Sequence, residues 1–161
     1  MVHSAPAISF KLIAQEMNKT IRVGLIGTGR WGPNVIGSLR RVDGASINHV
    51  ADLNEDSLRC LNARFGDLKT TSNPEELLSN ASLNAVAIST PVTTHLGLVE
   101  QALLQGKHVF VEKPFGQDPE KCTELCEIAE TNKLSIMVGH VFLFNSSILE
   151  LKKIIDSGEL G

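Results

Sequence analysis

Three glycines, one aspartate and one lysine stand where their types and spacing can do chemistry. Gly27, Gly29 and Gly32 follow the G-x-G-x-x-G spacing directly after an apolar run containing Val23, Leu25 and Ile26. In that pattern the first glycine permits a tight turn out of a strand and the second lets backbone approach a diphosphate. The third removes the side chain where the next helix lies against the sheet. Thr28, Arg30 and Trp31 fill the positions between them. The unpaired N–H groups of the helix's first turn then face the anion, aided by a dipole worth about 0.3–1 kcal/mol at an exposed end.

Asp52 lies twenty positions past Gly32, where an acid can accept both hydroxyls of an adenosine ribose. A 2′-phosphate there would set like charges together, and at about 4 Å and an effective dielectric near 20 each unit pair costs roughly 4 kcal/mol. The expected cofactor is therefore NAD, with NADP less favoured. Two alternatives stay open: an aspartate that only caps a helix has the same signature, and Asn54, Arg30 or Arg59 reaching the same pocket could accommodate phosphate.

Lys113 sits between Glu112 and Pro114, directly after an apolar segment, so it is held in place instead of trailing in solvent. A neighbouring oxidised nicotinamide disfavours a second cation, which suits a lysine to act as acid or base. Hydride transfer from an alcohol needs such a proton acceptor. A surface lysine paired with Glu112 is the plainer alternative. Ser89, Thr90 and Pro91 place hydroxyls and a rigid turn at another strand end, suited to lining a nicotinamide ribose. His95 and His140 are further candidates, each equally readable as a buried or strand-end histidine with its polar atoms satisfied.

The elements that must position these residues follow from periodicity and breakers. Strands are expected near 21–26, 46–51, 68–71, 84–89, 107–111 and 134–138, alternating with helices over 31–41, 54–65, 73–79, 96–105, 119–132 and 145–157. Asn73 and Pro74 start one helix, Thr93 and Thr94 offer caps for another, and Gly66 and Gly106 stop two. Apolar strands alternating with helices imply an α/β fold, a doubly wound parallel sheet covered on both faces. Ligands in such sheets bind at the carboxyl ends of the strands. All the candidates fall there. Phe10, Ile13, Ala14 and Met17 have helical spacing, although residues 1–20 read equally well as a disordered extension.

The totals narrow the partners. The chain has 161 residues, 42% hydrophobic and 20% charged, enough for one globular domain with a full core. A net charge of -3 with six phenylalanines and one tryptophan argues against nucleic acid. No apolar run approaches a membrane span, and no signal peptide is read at the start. Cys60, Cys122 and Cys126 lack metal-ligand spacing, so no metal site is expected. Cys122 and Cys126 share one helical face and are expected to be small buried hydrophobes, and reduced thiols suit a cytoplasmic setting.

Taken together, VGLIGTGRWG (23–32), the DLN after the second strand, ISTPVTTH (88–95), GKHVFVEKP (106–114) and MVGHVFLFN (137–145) resemble the N-terminal domain of the glucose-fructose oxidoreductase, inositol dehydrogenase and MocA family. The resemblance spans nearly all of residues 21–161, and the EKP segment in its GKHV context is more specific than the glycines. It implies a Rossmann domain over 21–145, with 146–161 a helix leading toward a second α/β domain that this chain lacks. It further implies that Gly27, Gly29 and Gly32 hold the pyrophosphate and Asp52 the adenosine ribose. Thr90, Pro91, His95, Glu112 and Lys113 would surround the nicotinamide end, with Lys113 beside the substrate hydroxyl and a cis bond before Pro114. The expected activity is oxidation of a sugar, polyol or nucleotide-sugar hydroxyl, weak or absent without the second domain; a homo-oligomer is expected only for a full-length form. The alternative is a non-catalytic NAD-binding module serving as a sensor or partner subunit.

Overall fold

The computed structural model describes residues 20–159; the helix considered at Phe10 to Met17 lies outside them. Six strands form one sheet: β1 (Ile21–Ile26), β2 (Ala45–Ala51), β3 (Lys69–Thr71), β4 (Ala85–Ile88), β5 (His108–Val111) and β6 (Ile136–Val138). Their order is β3-β2-β1-β4-β5-β6, and every neighbouring pair is parallel. The chain runs outward from β1 through β2 to β3, then returns to place β4 on the other side of β1. That reversal opens a crevice at the carboxyl ends of β1 and β4, where such sheets receive ligands.

The helices are α1 (Gly32–Leu39), α2 (Glu55–Phe65), α3 (Pro74–Leu78), α4 (His95–Leu104), α5 (Pro119–Thr131) and α6 (Ser146–Asp156). Side-chain alternation along the strands divides the core into two layers. Val23, Leu25, Ala85 and Ala87 pack with Ile36 of α1 and Leu58 and Leu61 of α2. Val86, Ile88, Val109 and Val111 pack on the opposite face with α3, α4 and α5. Burial of a valine or isoleucine such as Val86 or Ile88, both 0% exposed, contributes about 1.5–3 kcal/mol. Gly24 lets β1 lie under α3, because a Cβ there would stand 2.7 Å from Leu77 and 2.8 Å from Leu83.

Three expectations are corrected. Cys126 is exposed and Cys122 only partly buried, because Leu125 and Ala129 take the core-facing stripe of α5. Thr93 and Thr94 do not cap α4: a 3₁₀ turn (Val92–Thr94) precedes it, and the Thr94 hydroxyl donates to the Pro91 carbonyl at 2.8 Å. The sheet is not covered on both faces throughout. At its β6 edge Ile136 and Val138 are half-buried and Met137 is exposed; neither α6 nor the 3₁₀ turn before it (Val141–Phe144) contains a buried residue. Helix and strand ends otherwise fall within about two residues of expectation, as fraying termini allow.

Candidate functional site

The carboxyl end of β1 turns at Gly27, whose φ is +98° and whose N–H donates to the Ala51 carbonyl. A Cβ on Gly27 would lie 2.6 Å from the Ser89 carbonyl, and one on Gly32 2.6 Å from the Gly27 carbonyl. Both positions are therefore fixed by backbone that must pass within the radius of a methyl group. Gly29 differs: a Cβ there would meet nothing within 4 Å. Nothing inside the protein demands glycine at 29, so the open space above it lies free for an approaching group. That arrangement fits a diphosphate. No side chain caps α1, whose N-cap is Trp31, and no acid occupies its first turn, whereas Asn54, Asn73, Asp118 and Asn145 cap α2, α3, α5 and α6. Pro33 carries no N–H and the Asn34 and Val35 amides donate to the Trp31 carbonyl, so among the described residues the donors left for an anion are the amides from Gly29 to Gly32.

Asp52 leaves the end of β2 and turns back onto the glycine loop. Its Oδ2 accepts from the Thr28 amide at 2.6 Å and the Thr28 hydroxyl at 2.7 Å; its Oδ1 accepts from the Asn54 amide at 2.8 Å. Partial burial pushes the carboxyl upward. The bonds from Asn54 and Thr28 outweigh it and hold the group below the usual aspartate value. The capping alternative is thereby settled in part: Asn54, not Asp52, caps α2, its side chain accepting from the Ser57 amide. Of the cations considered as phosphate partners, Arg59 is engaged by Asp56 and Glu55 on α2, while Arg30 is exposed. The Thr28 hydroxyl as a partner of Asp52 had no signature in the sequence beyond its place in the loop.

The second half of the site is built by β4, β5 and β6. The Ser89 amide donates to Ile26, the Glu112 amide to Ile88 and the Gly139 amide to Val111, so three loops leave the sheet side by side. Ser89 and Thr90 are half-buried and Pro91 is exposed. The Thr90 and Thr94 hydroxyl oxygens are 2.7 Å apart, Thr94 accepting from Thr90 while it donates to the Pro91 carbonyl. Glu112 leans toward β6: a Cβ on Gly139 would lie 3.3 Å from its carboxylate. Lys113 is exposed, and among the described residues it makes no ion pair, so pairing with Glu112 does not occur. The peptide bond between Lys113 and Pro114 is cis, as expected.

Two candidates stand differently from the rest. His95 is 1% exposed, with Nδ1 2.9 Å from the Pro114 carbonyl oxygen and Nε2 2.9 Å from the Thr90 carbonyl oxygen. It is buried, with both ring nitrogens turned to the backbone of the two loops. His140 is exposed after β6, at the sheet edge two strands beyond β4 and away from the glycine loop. Gly27, Thr28, Gly29, Gly32, Asp52, Ser89 and Thr90 gather around the crevice, with Glu112 and Lys113 on the adjoining strand.

Residues 21–140 match an oxidoreductase family with an NAD-binding Rossmann fold. Among curated relatives, myo-inositol 2-dehydrogenase of Thermotoga maritima is 28% identical over 141 residues, 88% of this chain and 42% of that protein. Inositol 2-dehydrogenase 3 of Saccharopolyspora erythraea is 32% identical over 144 residues, again 88% of this chain and 42% of the relative. Among solved structures, scyllo-inositol dehydrogenase from Lactobacillus casei with bound NAD(H) and scyllo-inositol superposes with a TM-score of 0.79 at 28% identity, covering 89% of this chain and 43% of that one. A 3-ketoreductase from Actinomadura kijaniata in complex with NADP and TDP-benzene gives 0.80 at 26%, covering 87% and 43%. The chain therefore spans roughly two fifths of the length of these relatives. With the doubly wound sheet, the glycine turn and the matched sequence in agreement, the chain belongs to the glucose-fructose oxidoreductase, inositol dehydrogenase and MocA family of oxidoreductases, of which it carries the NAD-binding Rossmann domain.

Proposed function

We propose that this chain is the cofactor-binding part of an NAD-dependent dehydrogenase acting on a hydroxyl of a polyol, sugar or nucleotide sugar. The observation that carries the reading is the Asp52 carboxylate, held ionised by Thr28 and Asn54 at the mouth of the glycine loop. An anion fixed there accepts ribose hydroxyls and repels a 2′-phosphate; Arg59 is engaged by Asp56 and Glu55, which leaves Arg30, exposed in the loop, as the cation able to offset that repulsion. NAD is therefore favoured over NADP. The inositol relatives favour a polyol as substrate.

In this reading the loop from Gly27 to Gly32 holds the pyrophosphate: the amides of Gly29, Arg30, Trp31 and Gly32 face it, while Gly27 and Thr28, whose amides serve Ala51 and Asp52, shape the turn. Ser89, Thr90, Pro91 and Glu112 line the nicotinamide half, with His95 behind them and His140 at the outer rim. When bound, the nicotinamide ring supplies hydride acceptance and donation. Lys113 takes the proton that leaves the substrate hydroxyl as hydride departs from carbon, and returns it in the reverse direction. A cytoplasmic setting suits the three free thiols.

The test is thermal stabilisation of the chain by NAD and by NADP. At a hundredfold excess over its dissociation constant a bound ligand adds about 2.7 kcal/mol, which raises the melting temperature of a domain this size by about 5–10 °C. NAD is expected to reach that at lower concentration than NADP. Trp31, the one tryptophan and 49% exposed beside the loop, provides a second readout through its fluorescence. No stabilisation and no change in emission with either nucleotide ends the reading.

A further inference from the structure

His95 is the first residue of α4, yet its ring serves two loops that belong to different strands. Nε2 faces the carbonyl of Thr90, in the loop after β4, and Nδ1 faces that of Pro114, nineteen residues away in the loop after β5. Carbonyl oxygens only accept and a neutral imidazole carries hydrogen on one nitrogen, so one contact at a time is a hydrogen bond, the one to Pro114 when Nδ1 carries the hydrogen. At 1% exposure and with both nitrogens turned to backbone, the ring has no polar atom left for a ligand. Pro114 follows Lys113 directly; fixing its carbonyl fixes the adjoining backbone from which the Lys113 side chain departs.

The geometry points to His95 as a positioning residue: its Nδ1 holds the Lys113–Pro114 segment in register with the Thr90–Pro91 loop, so that the two loops together form the nicotinamide half of the site. The inference rests on the cofactor reading above. A displacement of about 1 Å at a reacting group can cost about a hundredfold in rate, so a buried tie between these loops bears on function even without touching a ligand. A ring that merely filled space would need no polar atoms, and leucine would serve.

Three variants separate these roles. The side-chain amide nitrogen of asparagine falls near the place of Nδ1 and that of glutamine near the place of Nε2, whereas leucine keeps bulk without donors. Calorimetric titration of the chain with NAD and with ADP-ribose reads the nicotinamide contribution as the ratio of the two affinities. The unmodified chain is expected to bind NAD more tightly. His95→Asn should keep that ratio, while His95→Gln and His95→Leu should lower it by about three- to tenfold, the worth of one hydrogen bond. ADP-ribose affinity, set at β1 and β2, should stay the same throughout. If His95→Leu does not fold, the Asn and Gln pair decides.

Equal ratios in His95→Asn and His95→Gln, a parallel loss of ADP-ribose affinity, or an unmodified chain that binds NAD no better than ADP-ribose overturns the inference while leaving cofactor binding intact. Failure of the unmodified chain to bind either ligand removes the cofactor reading and this inference with it.

Discussion

Replacing Asp52 by asparagine should weaken the fold and relax cofactor choice together. Both Thr28 donors converge on Oδ2, and the Asn54 amide donates to Oδ1. Asparagine offers one oxygen and one NH2 group, so whichever way it turns, a backbone N–H faces another donor. Turned so that its oxygen keeps both Thr28 donors, asparagine sets its NH2 against the exposed Asn54 amide, a loss at the lower end of about 1–3 kcal/mol. Taking about 1 kcal/mol, the melting temperature should fall by about 2–4 °C. Acid sensitivity changes too. The folded carboxyl titrates below its usual 3.8, so the stability it contributes is present above that pH and lost as pH falls beneath it; the asparagine variant should lack that part of the acid transition. In binding, removal of even a third of a roughly 4 kcal/mol like-charge penalty should improve NADP about tenfold relative to NAD. Thermal melts at neutral and acid pH, with calorimetric titration of both nucleotides, provide the measurement. An asparagine variant with the parent's melting temperature and the parent's NAD to NADP ratio would refute the reasoning.

Further outcomes follow from the same geometry. Gly27→Ala should destabilise by about 2–4 kcal/mol in thermal melts, since its Cβ meets Ser89 backbone at 2.6 Å at a φ of +98°. Gly29→Ala, with nothing within 4 Å, should melt like the parent yet bind NAD more weakly; the reverse pattern would mean that the loop is shaped for packing alone. Burial lowers the titration of His49, with added repulsion from Lys69, and burial lowers that of His108. The unfolded chain takes up those protons near 6.5 while the folded chain does so only at lower pH, so stability should fall as pH drops below 6.5. His49→Gln with His108→Gln should flatten that slope in denaturant titrations. Lys113→Ala should leave NAD binding nearly intact and, in a form that also carries a substrate domain, lower turnover; unchanged turnover removes Lys113 from the chemistry.

The order and type of the elements were legible in the sequence because each strand is a short apolar run and each break is marked by glycine, proline or a capping side chain. Asn73, read from the sequence as a helix start, caps α3 through a bond to the Glu75 amide, and Asn54, Asp118 and Asn145 cap α2, α5 and α6 by the same local chemistry, with amides two or three residues on. The places of Gly27, Asp52 and Lys113 were legible for a related reason: each follows closely on a strand end, and hydrophobicity marks that end, while Gly32 opens α1. Cysteine burial was not legible, since which side of α5 meets the core depends on how the helix rolls against α4 and the core behind it.

What the chain alone determined is therefore an alternating α/β order with its reactive residues at strand ends. Tertiary structure decided the rest: that β4 returns beside β1 and brings Gly27 against Ser89, that Thr28 closes onto Asp52 from 24 residues away, and that Lys107 is buried, donating to the Asn80 and Leu83 carbonyls. It also decided that His95 turns its nitrogens to two loops rather than to the crevice. The physical reason is range. Propensity, capping and periodicity act over a few residues, whereas strand order and the partners of a buried polar atom depend on which distant segments share the core.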